Sequence, residues 1–227
     1  LWDDWNDSDP RKTATICDAP NELEHFVFTN SCTEDAGYYN KKLMPVTTRQ
    51  ANWSAYTGAG PYTWWDVADP ANYQGPKNQN CMQGSHFCDL TLIRLADVML
   101  MHSELTGTAD QMNKVRARAG LNPTTYSWAN IKAERRFELA LEGVRFNDLR
   151  RWSGKDGGES CEAAQALERQ NGSKVNYQGR WTTMKHATSS WAKRYAETNG
   201  FLQIPTSQIE LAGNEEVLKQ NPGWGSS

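Results

Sequence analysis

Residues 134–152 read ERRFELALEGVRFNDLRRW, and this stretch decides the fold. Upstream, Ser127 offers an N-cap, because its side-chain oxygen can accept a hydrogen bond from a free backbone N–H group. The pattern predicts one helix from Ser127 to about Trp152. Apolar residues lie on all of its sides, which indicates burial on most of them. We expect Gly143, within this helix, to let a neighbouring backbone approach closely.

The same helix carries charged residues on every face. A buried charge persists only when it is paired or hydrogen-bonded. We therefore expect Glu138, Glu142 and Arg145 to be buried and paired within a helical core. Opposite charges recur three residues apart, a spacing that brings side chains together on a helix. The predicted pairs are Arg135/Glu138, Glu142/Arg145 and Asp148/Arg151.

Two further helices are predicted upstream, between residues 91 and 120. The first ends at Gly107, because glycine favours the left-handed conformation found at helix C-termini. Its apolar face consists of Leu92, Leu95, Ala96, Met99 and Ser103. The second is short and stops at Gly120. Its inner face consists of Met112, Val115, Arg116 and Ala119.

Helices joined by such short loops pack antiparallel. The first and third start roughly one TPR period apart, about 34 residues. One helical pair cannot enclose its own core and stacks on further repeats. We therefore expect an apolar face to be exposed on the helices Leu92–Ser103 and Ile131–Trp152. The start, Leu1-Trp2-Asp3-Asp4, shows no signal peptide and no lipid-attachment cysteine, so we expect a processed or truncated protein.

Residues 1–90 have many turn signals and little helical periodicity, which predicts a loop-rich region that carries ligand binding. Short extended pieces are expected at Thr13–Ile16, His25–Thr29 and Lys42–Thr47. Residues 91–227 are predicted to form a helical region that continues the same domain. A further helix is expected at Glu159–Gln170, after a glycine-rich break.

The composition is that of an ordinary globular protein with an unusual number of aromatic residues. The chain has 227 residues, a net charge of −3, 10 Trp and 8 Tyr. The slightly acidic balance gives no reason to expect a nucleic-acid partner. No run of about 20 apolar residues occurs that could span a bilayer. The tryptophan excess requires either a large aromatic core or an aromatic binding face.

Five cysteines, at positions 17, 32, 81, 88 and 161, lack the spacing of a metal site. None forms a CxxC pair and no histidine pair accompanies them, so neither zinc nor another metal is expected. Cys17 with Cys32, and Cys81 with Cys88, could close two local loops in an oxidising compartment. The alternative is five reduced thiols.

Four motifs, in one order, resemble the SusD/RagB family. They are residues 94–104 (RLADVMLMHSE), 113–121 (NKVRARAGL), 134–152, and Ile204-Pro205 followed by 218–224 (LKQNPGW). The family counterparts of the first and third read RYADVLLMYAEA and ERRRELAFEGHRWFDLRRW. Departures such as His102-Ser103 and Val144 fall at positions without a ligand role in the family pattern. The resemblance covers the chain as the C-terminal part of a family member.

The resemblance implies a mostly α-helical fold of TPR-like helical pairs, with long loop-rich insertions and little β structure. The family's N-terminal helical repeats and lipidated start are expected to lie outside this chain. Family members sit on the outer surface of the outer membrane, over a SusC-like TonB-dependent transporter. There they capture oligosaccharides, or in some relatives peptides, for import.

A dense aromatic stretch is the candidate ligand site. Five aromatic residues fall within residues 53–65, among glycines and small polar residues. Such rings can pack against the flat C–H face of a sugar, while polar side chains bind its hydroxyl groups. The candidate carbohydrate-binding residues are Asn52, Trp53, Tyr56, Tyr62, Trp64, Trp65 and Asp66. The alternative is that these rings attach the loop to the helical core, the packing role expected of Trp2, Trp5, Trp181 and Trp191.

No catalytic signature accompanies these motifs. GxSxG, HExxH and P-loop patterns are absent, and the adjacent carboxylates Asp3-Asp4 and Glu215-Glu216 are typical of solvated turns. We therefore expect a binding protein without catalytic residues or a cofactor. Its ligand would be an oligosaccharide or polysaccharide. The alternatives are a peptide-capturing member of the family and a TPR-like protein-interaction scaffold, and the dense loop aromatics favour the sugar.

Overall fold

The computed structural model describes residues 1–22, 26–30, 33–42, 91–154, 158–185, 190–213 and 217–225. Helices dominate this part of the chain, and its strands form only two short two-stranded sheets. The predicted mostly α fold is therefore confirmed. In chain order the elements are α1 (Arg11–Thr15), β1 (Ile16–Asp18), α2 (Ala19–Glu22), β2 (Tyr38–Asn40), α3 (Leu95–Thr106), α4 (Asp110–Arg118), α5 (Trp128–Glu138), α6 (Arg145–Ser153), α7 (Glu162–Glu168), β3 (Lys174–Tyr177), β4 (Arg180–Thr183), α8 (Trp191–Thr198) and α9 (Thr206–Leu211).

The chain divides into two compact units. The first comprises Leu1–Gly143 with Tyr177–Arg180, and the second comprises Val144–Asn176 with Trp181–Ser227. The predicted boundary at residue 90, between a loop-rich ligand-binding region and a helical region, stays a prediction. None of the described helices is both long and apolar enough to cross a membrane.

The core of the first unit is built where α3, α4 and α5 meet. Leu100, Met112 and Ile131, one from each helix, are fully buried. The Ser103 hydroxyl accepts a hydrogen bond of 2.9 Å from the backbone N–H of Met112, which joins α3 to α4. Two of the predicted helix ends, at Gly107 and Ser127, are confirmed. Gly107 is left-handed, with φ 68°, and the Ser127 side chain accepts from the Asn130 N–H group.

The predicted inner face of α3 is only partly correct. The helix begins at Leu95, one turn later than expected, and Leu95 is 74% exposed. Asp97 is buried instead, because Arg135 of α5 binds its carboxylate at 2.8 Å. The outward side of α3 presents an apolar stripe, as expected for the first of the two helices. The stripe consists of Leu95, Val98, Met101 and Leu105.

The single helix predicted from Ser127 to Trp152 is wrong. α5 ends at Glu138 and α6 begins at Arg145, with left-handed residues at Leu141 (φ 63°) and Gly143 (φ 81°) between them. No atom lies within 4 Å of a Cβ placed on Gly143, so the expected close backbone approach is also wrong. Glycine is needed there for its positive φ. α5 and α6 are two separate helices, and each buries its own face. Read as one continuous helix, their apolar residues therefore appear to lie on all sides.

The N-terminal part differs from its predicted extended pieces. Thr13 to Thr15 are helical, in α1, and the strand starts only at Ile16. β1 pairs antiparallel with β2, with Ile16 opposite Asn40 and Cys17 opposite Tyr39. Residues 26–29 form no regular element, and residues 43–47 of the third predicted piece lie outside the described residues.

Cys17 is a buried free thiol, which contradicts the proposed Cys17–Cys32 bridge. It lies in the short strand β1, and burial raises the pKa of its thiol. Cys161 is also free. Cys81 and Cys88 lie outside the described residues, so the bridge between them stays a prediction.

The second unit has a small core between α6, α7 and α8. Its buried members are Leu149, Ala163, Ala164, Ala192 and Tyr195. The small side chains let α7 and α8 approach closely. α7 lies within the predicted range of residues 159–170 but is shorter.

The tryptophans that were expected to pack differ from one another in burial. Trp5 of the first unit is 2% exposed and stacks on Phe137, with ring centroids 5.0 Å apart, which confirms its packing role. Trp2 lies against Tyr38, also at 5.0 Å. Trp181 is 58% exposed, so burial in a core is wrong for this residue.

Candidate functional site

Three carboxylates, one helical turn apart, organise the charges of the first unit. Glu134 and Glu138 belong to α5, and Glu142 follows in the turn after it. Glu134 is bound by Arg11 at 2.5 Å and by Arg116 at 2.8 Å. Such burial is tolerated because each carboxylate has more than one cationic partner.

Glu138 is the most deeply buried of the three. Its side chain is 1% exposed and is bound by Arg94 at 2.7 Å, Arg118 at 2.6 Å and Arg11 at 3.0 Å. Burial and pairing of Glu138 are thus confirmed, but its cations come from distant parts of the chain. The expected partner, Arg135, binds Asp97.

Glu142 pairs with residues far away in the sequence. Lys42 reaches its carboxylate at 2.5 Å and Arg94 at 2.6 Å. The expected partner, Arg145, belongs to α6, where its guanidinium lies 5.8 Å from the centre of the Trp152 ring. The predicted Glu142/Arg145 pair is therefore wrong, since the chain turns before Arg145.

Of the three predicted ion pairs, the last one forms as expected. Asp148 and Arg151, three residues apart on α6, form an ion pair of 2.9 Å. Their spacing on one continuous helix brings the two side chains together.

Lys42 and Arg94 flank residues 43–90, and both bind the same two acceptors. The Lys42 ammonium donates to Glu142 Oε1 at 2.5 Å and to the Glu138 carbonyl at 2.8 Å. One Arg94 nitrogen, Nη2, donates to the same oxygens at 2.8 and 2.7 Å. We call Lys42, Arg94, Glu138 and Glu142 the Glu142 clamp. It fixes residue 42 close to residue 94.

The pKa values of two clamp residues, Glu142 and Lys42, both lie below their ordinary values. Burial alone would raise the pKa of Glu142, but hydrogen bonds from Arg94 and Lys42 outweigh it, so the pKa lies below its ordinary value. For Lys42 burial prevails, and its pKa is lowered despite the Glu142 carboxylate. In Asp9, hydrogen bonds from Arg11 likewise outweigh burial and lower the pKa.

The aromatic stretch predicted to bind carbohydrate lies outside the described residues. This applies to every candidate residue from Asn52 to Asp66, so their role stays a prediction. Within the described ranges, no group of His, Cys, Asp and Glu side chains is arranged to hold a metal ion.

Sequence reasoning missed a pocket of about 300 Å³ in the second unit. Its aromatic lining comes from α6, α8 and two loops. The rings belong to Phe146, Trp191, Tyr195, Phe201 and Trp224. Trp191, expected only to pack, is half-buried and faces this space. The pocket residues are scattered along the chain, so no local pattern revealed them.

The motif at residues 218–224 contributes Trp224 to the lining of this pocket. Gln220 accepts from the Ile204 N–H group and donates to the Ile204 carbonyl, both at 2.8 Å. The Asn221 amide donates to the Leu202 carbonyl at 2.7 Å, and the Trp224 indole donates to the Phe201 carbonyl at 2.8 Å. These side-chain bonds hold the C-terminal segment against residues 201–204.

Gly223 lets this segment pass close to α8. Its φ is +74°, and an added Cβ would lie 2.5 Å from the carbonyl oxygen of Glu197. Arg194 of α8 donates to the Gly223 carbonyl at 2.8 Å, and its guanidinium lies 4.2 Å from the centre of the Trp224 ring. The Trp224 ring is therefore fixed by its indole bond and by a cation on one face.

Comparisons with known proteins agree with the motifs. A laminarin-binding SusD-like protein of known structure is 26% identical, with a TM-score of 0.50, over 95% of this chain and 35% of that protein. Surface glycan-binding protein A from Bacteroides thetaiotaomicron is 18% identical, with a TM-score of 0.53, over 97% of this chain and 39% of its own length. At 18% identity, the second likeness shows the fold alone.

The chain thus spans well under half the length of these two proteins. No curated protein matches it. The family model described as the SusD family matches residues 2–224, and the chain therefore belongs to the SusD family.

Proposed function

We propose that the protein binds a neutral oligosaccharide or polysaccharide at the cell surface without transforming it. The observation that carries this proposal is the SusD family match over residues 2–224. It is supported by the 26% identity to a protein that binds laminarin. The bound glycan would then pass to a SusC-like TonB-dependent transporter for import.

We propose the aromatic stretch as the main binding platform. Its members are Asn52, Trp53, Tyr56, Tyr62, Trp64, Trp65 and Asp66. The rings would pack on the apolar faces of sugar units, and the amide and carboxylate would bind hydroxyl groups. The Glu142 clamp supports this proposal, because it fixes the residues on either side of the segment that carries these rings.

The family resemblance also supports a location on the outer face of the outer membrane. We propose that the attachment is a lipid anchor belonging to a longer protein, so that residues 1–227 would touch the membrane only through it.

A protein-interaction scaffold is the second candidate function. The exposed apolar stripe on α3 favours it, since large contiguous apolar patches mark interaction surfaces.

A glycan array followed by titration calorimetry tests the proposal. We expect binding to one or more neutral glycans, with laminarin as the first probe. The affinity should change little with salt and not at all on adding a chelator, because sugar stacking needs neither charge nor metal. A protein that binds no glycan but captures peptides or other proteins would contradict the proposal.

A further inference from the structure

Three of the aromatic rings that line the pocket of the second unit, those of Phe146, Phe201 and Trp224, contact arginine side chains. Trp224 is fixed by its bond to the Phe201 carbonyl and by Arg194 on its face. The Arg150 guanidinium lies 5.2 Å from the ring centre of Phe201 and 5.9 Å from that of Phe146. Rings held in this way keep their orientation before a ligand arrives, which lowers the entropic cost of binding.

The cations around the pocket are already engaged. Arg194 binds Glu197 at 3.3 Å and the Gly223 carbonyl at 2.8 Å. The Arg150 guanidinium lies over the rings of Phe146 and Phe201. An anionic ligand would therefore compete with existing partners. The exposed Gln170 amide at the pocket edge offers both donors and an acceptor to a neutral ligand.

These features match a sugar ring better than a charged group or a long acyl chain. A pyranose has apolar C–H faces for the rings and hydroxyl groups at its edge for Gln170. About 300 Å³ is at the small end of ligand pockets. It suits one or two sugar units, whereas a long acyl chain requires a deep apolar channel.

We propose that this pocket is a second carbohydrate subsite that takes a neutral pyranose unit. The subsite is separate from the stretch Asn52–Asp66. It rests on the proposed function, because its ligand is a unit of the same class of glycan. Trp224 supplies the stacking surface, and Gln170 binds a hydroxyl group.

Titration calorimetry with laminarin tests the subsite in single variants of the whole chain. Trp224→Ala removes the ring, Trp224→Phe retains an aromatic ring, and Gln170→Ala changes only the exposed edge. Trp181→Ala is the matched control, because it removes an exposed tryptophan that does not line the pocket. Far-ultraviolet circular dichroism and thermal unfolding show whether each variant is folded.

A background variant, Trp53→Ala with Trp64→Ala, weakens the proposed main platform and isolates the second subsite. We expect weak residual binding in this background, detected by saturation-transfer NMR with the same probe. Trp224→Ala is expected to lower the affinity about three- to tenfold and Gln170→Ala about threefold. The control Trp181→Ala should leave the affinity unchanged.

The outcomes separate the two proposals. If the parent chain binds neither laminarin nor any other neutral glycan, the proposed function fails, and the subsite fails with it. If the parent chain binds a glycan, and Trp224→Ala and Gln170→Ala bind it as tightly as the chain without these changes, only the subsite is overturned. Complete loss of binding in the background variant also overturns it, whereas partial rescue by Trp224→Phe supports it. If Trp224→Ala does not fold, Gln170→Ala alone decides.

Discussion

Replacing Glu138 by Gln should destabilise the first unit more than the same change at the less buried Glu142. The substitution keeps the size of the side chain and removes its charge. The amide nitrogen would then face guanidinium groups that are themselves donors. Arg11, at 11% exposure, is the most buried of the three cations that lose a partner.

The structure gives the size of the effect. Breaking a buried ion pair costs about 3–5 kcal/mol, because the remaining charge is left without compensation. Arg11 keeps Glu134 and Asp9, and Arg94 keeps Glu142, so compensation is only partly lost. Arg118 is 65% exposed and adds little. We therefore expect a loss near the lower end, about 3 kcal/mol.

Glu142→Gln is the matched control. The Glu142 side chain is 16% exposed and its partners Lys42 and Arg94 are 23% and 27% exposed, so solvent compensates part of the loss. About 1 kcal/mol is expected, nearer to the value of an exposed pair. Urea denaturation followed by circular dichroism measures both variants, with unchanged m-values as the condition for comparison. An equal loss in both, or less than 1 kcal/mol for Glu138→Gln, would refute the reasoning from burial.

Three further predictions concern pH, a helix cap and a close approach. The lowered pKa values of Asp9 and Glu142 stabilise the folded state above the ordinary carboxylate pKa, and this stability is lost as pH falls through the folded pKa. Unfolding should become easier below about pH 4, and Glu142→Gln should flatten that dependence in urea titrations. Ser127→Ala should cost about 1 kcal/mol, by loss of the α5 cap, and an unchanged midpoint would contradict it. Gly223→Ala should lower the melting temperature of the second unit clearly more than Gly213→Ala, because both residues have positive φ but only Gly223 meets backbone within 3 Å; equal effects would count against the close approach.

Local signals in the sequence predicted local structure. The Ser127 cap, the Gly107 terminus and the Met112–Val115 face of α4 are confirmed, because each depends on neighbours within two turns. The break between α5 and α6 was not predicted. It depends on the left-handed Leu141, and a leucine there carries no sequence signature for that conformation.

The charge network was predicted only where both partners are close in the sequence. The pair Asp148/Arg151 follows from helical spacing alone. Glu138 is so deeply buried that it needs several cations, and these come from residues 11, 94 and 118. A rule based on neighbours three residues away cannot identify such partners.

A change in the Glu142 clamp could weaken glycan binding indirectly, through the segment that the clamp holds. Lys42 and Arg94 bind one carboxylate from the two sides of residues 43–90. Without that charge Lys42 and Arg94 keep only their bonds to Glu138, so the two ends of the segment are held less tightly and ordering it for a ligand costs more entropy. We therefore expect Glu142→Gln to weaken glycan binding without being a ligand contact.

Glu134→Gln separates these two roles. Glu134 is at least as buried as Glu142, but its cations are Arg11 and Arg116, neither of which flanks that segment. We expect Glu134→Gln to lower the free energy of unfolding while leaving glycan affinity unchanged under conditions where the protein is folded. Limited proteolysis provides a readout that does not depend on the ligand, since Glu142→Gln should speed cleavage within residues 43–90 and Glu134→Gln should not. Equal cleavage rates and equal affinities in the two variants would show that the clamp stabilises the helical core and has no part in positioning the binding segment.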